Sequence, residues 1–283
     1  MRLTLIEVPY DCGRFDERMG SGPPELAATL PPGLASAGHD VEVRPVRLPP
    51  GFFAEVAAVV ALQHEVRREV MAARASGRLP VVLSGNCGIA ALGAMAALEP
   101  PTAVLWLDAH ADFNTPEISP SGFFDGTALT TLAGRAWPAV ARRFEGFAPV
   151  DDERIVLLGA RHLDDDERRL LEASRVTWLR TEAIRNDPEL LSKPLDALAS
   201  RAERLYLHLD LDVLEPCELR ANHYACPGGL LVDEVIAAIA AAGERLELAA
   251  LAITAYDPTA DAQRRGSAVA ARLLSAAIAA AAR

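Results

Sequence analysis

The sequence predicts an α/β protein: a mostly parallel sheet with helices on both of its faces. Short apolar runs at 80–83, 103–105 and 205–209 alternate with longer amphipathic stretches such as 53–75. That alternation is the pattern of strands joined by covering helices. The runs are apolar at successive positions, as strands buried on both faces are. Acidic residues follow two of them, at the strand ends where ligands gather in such sheets.

Taken in order, residues 3–8 form an apolar run ended by Pro9, the first expected strand. Residues 11–24 are rich in Gly and charge and read as a loop; 25–37 have helical spacing stopped by Gly38. Residues 41–43 alternate and fit an edge strand. The Ala-rich stretch 53–75 ends at Ser76-Gly77 and is a long helix. Residues 80–83 are the next strand, running into Ser84-Gly85-Asn86-Cys87-Gly88, whose small residues suit a tight turn before a helix over 89–98. Pro100-Pro101 bounds the strand at 103–105, and a polar loop spans 114–126. A strand at 154–159 leads into Arg161-His162-Leu163-Asp164, where Asp164 is placed to cap a helix through 173. Strands at 176–179 and 205–209 flank a helix around 188–203. A helix over 231–242, a strand over 248–254 and a closing helix over 262–282 complete the chain. Neither a repeat nor a linker interrupts this order, so residues 1–283 are expected to form one domain.

Composition narrows the partners. The net charge is −11 with no Lys/Arg-rich run, which argues against nucleic acid and anionic membrane. The four cysteines, Cys12, Cys87, Cys217 and Cys226, show no CxxC spacing and are too few for a disulfide scaffold. No signal-like N-terminal run and no apolar stretch of transmembrane length is present, so a cytoplasmic protein acting on a small molecule is expected.

The chemistry concentrates in Asp108-Ala109-His110-Ala111-Asp112 and in Asp210-Leu211-Asp212. Carboxylates at a buried strand end are costly unless a cation compensates them. If the first segment stays extended, its three polar side chains at alternate positions point the same way. Four carboxylates and one imidazole are enough donors for a two-cation cluster.

These motifs resemble the ureohydrolase superfamily: arginase, agmatinase and formiminoglutamase. The family's Asp-Ala-His-x-Asp is matched by 108–112, and its Asp-x-Asp by 210–212 followed by Val213-Leu214-Glu215-Pro216. Its Gly-Gly-x-His is similar to Ser84-Gly85-Asn86-Cys87, and Gly22-Pro23 and Gly228-Gly229-Leu230 also look like the family. The resemblance spans essentially the whole chain. It implies a single three-layer arginase-like domain, homo-oligomers, and two divalent ions, manganese in the family, that activate water for attack on a guanidinium carbon. The ligand set it implies is Cys87, Asp108, His110, Asp112, Asp210 and Asp212. The loop with Asn114, Ser119 and Ser121 looks like the one that grips the α-carboxylate of arginine. Asp164 and Glu167 look like the acids that receive its α-amino group. Read from the residues alone, Asn114, Ser119 and Ser121 also suit turns, and Asp164 a helix cap.

Three positions depart from the family. Cys87 stands where a metal-binding His is usual; as a thiolate it would carry charge and favour softer ions. Asp125 stands where arginase has a proton-transferring His. It could accept a hydrogen bond from a substrate hydroxyl or act as acid and base, and the loop residue His223 could replace the missing shuttle. Read from the residues alone, Cys87 also suits a buried small hydrophobe, Asp125 a turn before Gly126, and His223 a plain surface site. Ala255 stands where a Glu pairs with the guanidinium, and a buried cation without a partner is disfavoured. The Cys-for-His exchange at Cys87, with the arginine-type contacts, resembles the arginase variant that hydrolyses Nω-hydroxy-L-arginine in D-cycloserine-type antibiotic pathways, releasing L-ornithine and hydroxyurea. Two other readings stay open: an arginase- or agmatinase-type hydrolase of another guanidino compound, and a protein of this fold that binds a guanidino ligand without turning it over.

Overall fold

The computed structural model describes residues 1–48 and 54–282. Among the described residues eight strands form one sheet: Arg2–Val8 (β1), Asp40–Pro45 (β2), Leu79–Ser84 (β3), Thr102–Leu107 (β4), Ile155–Leu158 (β5), Thr177–Leu179 (β6), Arg204–Asp210 (β7) and Glu247–Thr254 (β8). Their order is β2-β1-β3-β8-β7-β4-β5-β6, and every pairing is parallel. The chain passes from β3 to β4 by leaving a gap that β7 and β8 later fill. Four strand ends from distant parts of the sequence therefore meet at the sheet's centre, where crevices open in such folds. The register fixes who meets whom: Trp106 lies opposite His208, and Thr254 lies between Ser84 and Asp210.

The period of two along each strand supplies both cores. Leu105 and Leu107 pack with Leu26, Leu30, Val235, Ile239 and Leu273 on one face. Val104 and Trp106 pack with Val59, Val66, Ile89, Leu129 and Phe144 on the other. Every residue of β3 and β4 is buried, which is why these runs are apolar without alternation. Among the described residues no helix is long and apolar enough to cross a membrane.

Boundaries differ from the sequence reading where local chemistry prevails. The segment expected as a loop over 11–24 contains a short antiparallel ribbon, Tyr10–Asp11 with Arg14–Phe15, and a turn of 3-10 helix at Arg18–Ser21. The first long helix is Gly22–Ser36, starting early because Pro23 and Pro24 suit its first turn. Gly22 is required there: a Cβ would stand 2.0 Å from the Tyr256 carbonyl oxygen. The next long helix is Glu55–Ala75; Phe53, expected to begin it, lies outside the described residues. The helix expected over 89–98 begins at Cys87 and ends at Met95, which puts Cys87 at a helix N-terminus. The region 188–203 divides into a 3-10 turn, Pro188–Leu191, and a helix, Ser192–Ala199. The closing helix starts at Gly266. Helices Ala128–Leu132 and Pro138–Ala141 are too short to show a period and escaped the sequence reading.

Candidate active site

A cavity of about 250 Å³ opens over the ends of β3, β8, β7 and β4. Cys87, Asp108, His110, Asp112, Asp210, Asp212 and Ala255 all line it, as do Asn114, Ser119, Ser121, Asp125, Asp164 and Glu167. His223 does not. Its side chain is 66% exposed and stands 3.8 Å from Asp257, because its neighbour Asn222 is the residue turned inward. The expectation of His223 as a shuttle is corrected accordingly; the additional imidazole at the cavity belongs to His162.

The convergence of Asp108, His110 and Asp112 is not made by an extended strand. β4 stops at Leu107, and the chain turns. Asp108 Oδ1 accepts the His110 amide at 2.7 Å, and Asp212 Oδ1 accepts the Ala109 amide at 3.2 Å. Asp112 then adopts φ 48, held by the Leu129 and Thr130 amides on its carbonyl. Ala255, across the cavity, has φ 59. Its amide donates to the Ser84 carbonyl at 3.1 Å, and its own carbonyl accepts from Asn222 Nδ2 at 2.9 Å. A left-handed non-glycine residue costs about 1–3 kcal/mol and persists where its surroundings over-determine it. Two such residues flank this cavity.

The donors fall into two groups that share Asp108. Ligand atoms of Cys87, Asp108 and Asp112 lie within 4.8 Å of one another, and so do those of Asp108, His110 and Asp212. Asp210 joins them: its Oδ2 accepts from Cys87 Sγ at 3.1 Å and its Oδ1 from the Asp212 amide at 2.8 Å. His110 Nδ1 stands 3.3 Å from Asp212 and 3.5 Å from Asp108. Left to one another, these groups repel. Burial, then Asp212 and Asp108, push Asp210 well above the carboxylate range; burial, then Asp108 and Asp125, do the same to Asp112. Burial and then Asp210 push the Cys87 thiol up. Burial also opposes charge on Asp212, yet His110 beside it holds that carboxyl below its usual range. Asp112 Oδ2 is buried with no hydrogen-bond partner among the described residues. A crowded carboxylate set with an orphaned oxygen and soft and hard donors together is what a pair of divalent ions fits.

Asp125 occupies a different niche. Its Oδ2 accepts from the Cys87 amide at 2.9 Å and from Asn86 Nδ2 at 3.0 Å, and its Oδ1 accepts from the Gly88 amide at 2.7 Å. It thereby satisfies the N-terminus of the helix carrying Cys87. Burial nevertheless raises it to about 7. On the opposite rim Asn114 Nδ2 donates to Asp164 Oδ2 at 3.1 Å, and its buried Oδ1 has no partner among the described residues. Glu167 accepts the Phe113 amide at 2.9 Å and the Asp164 amide at 3.2 Å, so it braces the rim from behind. Ser119 and Ser121 hold the turn through the Gly122 and Phe123 amides while facing the cavity.

The sequence reading missed Asn222, Tyr224, Thr254 and His162. Asn222 is fully buried and joins Asp212 Oδ2 at 3.1 Å to the Ala255 carbonyl. Its loop carries no period that marks it. Arg161 fixes that loop by donating to the Asp212 and Cys226 carbonyls at 3.0 and 2.8 Å.

A parallel α/β sheet with two donor groups sharing a buried carboxylate at its strand ends has the architecture of a metal-dependent hydrolase. Comparison with known proteins agrees. The sequence model of the arginase family matches residues 2–280. The arginase of Bacillus caldovelox is 29% identical over 203 residues, 70% of this chain and 68% of that protein. An N(omega)-hydroxy-L-arginine amidinohydrolase of Streptomyces lavendulae is 33% identical over 198 residues, 68% of this chain and 66% of that protein. The crystal structure of Bacillus subtilis arginase superposes with a TM-score of 0.87 at 24% identity, covering 98% of both chains. The chain belongs to the arginase family, and it is a metal-dependent ureohydrolase that acts on C–N bonds of guanidino compounds.

Proposed function

We propose that this enzyme hydrolyses Nω-hydroxy-L-arginine to L-ornithine and hydroxyurea. One observation carries the choice of head group: among the described residues, once the metal ligands and Asp164 are assigned, no carboxylate of the cavity stands free for a permanent guanidinium. Ala255 has none, and each oxygen of Asp125 and of Glu167 already accepts a backbone amide. An N-hydroxyguanidine is less basic than a guanidine, so it loses less by lacking an anionic partner. The amidinohydrolase of Streptomyces lavendulae, which acts on this substrate by name, supports the same reading.

In this reading Cys87 and Asp112 would hold one divalent ion and His110 and Asp212 the other, with Asp108 and Asp210 available to both. Those residues would there present a divalent ion, manganese in the family, that would supply Lewis acidity and lower the pKa of water. Asn114, Ser119 and Ser121 bind the α-carboxylate, and Asp164 the α-amino group, with Glu167 acting through Asp164. These contacts hold the far end of the substrate so that its guanidino carbon faces the strand ends. Asp125, which burial raises to about 7 and which accepts the Cys87 amide, is a cavity carboxyl suited to hold and release a proton beside the head group. A cytoplasmic location accords with four free cysteines, and a homo-oligomer with the family's habit.

The test is ornithine release from Nω-hydroxy-L-arginine and from L-arginine with Mn supplied. A higher kcat/KM on the hydroxylated compound supports the proposal. Equal or faster turnover of L-arginine overturns the head-group argument, and ornithine from neither moves the activity to another guanidino compound.

A further inference from the structure

Behind the cavity floor lies a buried file of side chains that the proposed chemistry does not use. Tyr206, His208 and Thr254 are all buried. Tyr206 Oη is 2.9 Å from His208 Nδ1, and His208 Nε2 is 3.3 Å from Thr254 Oγ1. Thr254 Oγ1 then stands 3.2 Å from Cys87 Sγ and 3.4 Å from Asp210 Oδ2. The His208 ring is fixed by its cross-strand neighbour Trp106, stacked at 3.6 Å with planes 8° apart.

We infer that Thr254, oriented by His208 and Tyr206, is a positioning residue for the Cys87 side of the metal site. The inference rests on the reading of Cys87 as a metal ligand. Hydrogen-bond direction carries it. A ligating sulfur has no proton to give, so the single Thr254 proton goes either to it at 3.2 Å or to Asp210 Oδ2 at 3.4 Å, and the sulfur is the nearer acceptor. Thr254 oxygen is then free to accept from His208 Nε2–H, and His208 Nδ1 accepts from the Tyr206 hydroxyl. Each group gives one hydrogen and takes at most one, all in the direction of the sulfur. A hydroxyl donating to a thiolate steadies its charge and fixes its lone pair toward the ion, and such outer partners are worth about 10–100-fold in metal affinity.

The test uses the full chain loaded with Co(II), reading the cysteine-sulfur-to-cobalt absorption band and the cobalt dissociation constants. Thr254→Val removes the hydroxyl at similar volume; Thr254→Ser keeps it. The expected result is a band moved to longer wavelength and a roughly tenfold or greater loss of affinity at one site in Thr254→Val. Thr254→Ser should behave as the unmodified protein, and Tyr206→Phe should show a smaller change in the same direction. Should Thr254→Val fail to fold, Thr254→Ala is read in the same way. A wild-type sulfur band that Thr254→Val leaves unchanged in position and affinity overturns the inference. Absence of the sulfur band in the unmodified protein instead overturns Cys87 as a ligand, and the inference with it.

Discussion

The two sides of the donor set are built differently, although they share Asp108, and Asp210 touches a residue of each. On one side Cys87 is enclosed, its sulfur set between Asp210 and Thr254, with an orphaned Asp112 oxygen close by. On the other, His110 leaves a quarter of its side chain open to the cavity, and its ring meets His162 edge-on at 5.4 Å. The closed side sits at a helix N-terminus and is backed by the fully buried His208 imidazole, which burial holds well below its ordinary pKa. The open side faces the loops that admit a substrate. A thiolate adds a negative charge where an imidazole adds none, so the closed side should hold the softer and less Lewis-acidic ion. The asymmetry lies in the sequence at one residue and in the structure at a whole neighbourhood.

Removing a group common to both sides should have the largest effect. Asp210→Asn is expected to lower kcat/KM more than ~100-fold, beyond the cost of losing an outer partner of a metal ligand. A loss confined to one bound ion would show that Asp210 serves one side only. Ala255→Glu restores an anion next to the closed side. It should move the ratio of kcat/KM for L-arginine over Nω-hydroxy-L-arginine upward by about tenfold or more, the equivalent of ~1.4 kcal/mol. An unchanged ratio would mean that this position does not meet the head group. Asn114→Ala touches neither side and is the control: KM for the amino-acid substrate should rise about tenfold with kcat retained, since the contact binds ground and transition states alike. A fall in kcat with KM unchanged would place Asn114 nearer the chemistry than its rim position suggests.

The smallest effect is one of stability. Burial raises Glu167 to about 7 from an ordinary 4.5, against the pull of the Phe113 and Asp164 amides. The folded state thus binds a proton that the unfolded state has already lost. The stability contributed is full below the ordinary value and is lost as pH rises through about 7. Thermal unfolding of chelator-treated protein should therefore show a midpoint falling between pH 4.5 and 7, and Glu167→Gln should flatten that slope. An equally steep slope in the variant would assign the titration elsewhere.

Much of this was legible in the sequence because it depends on strand ends. Apolar runs mark the buried strands β3, β4 and β7, and acidic residues directly after β4 and at the end of β7 mark the site. Cys87, Asp125 and Ala255 stood out against a family pattern. What escaped depends on long-range register and on turns. Thr254 matters because β8 inserts between β3 and β7, which no local period reports. Asn222 matters through a loop pinned by Arg161 from another segment. The turn at Asp112 defeats the extended-strand argument, although the side chains converge anyway. His223 looked available as a loop histidine, but a one-residue alternation turned Asn222 inward in its place.

The most direct test of the asymmetric pair is the number of Mn(II) ions bound per chain, measured by equilibrium dialysis with metal analysis, in the unmodified protein and in Cys87→Ala. The account predicts two ions in the first and one in the second, with the remaining ion held by His110, Asp212 and the shared carboxylates. Two ions in both proteins would contradict it, because the sulfur would then hold nothing.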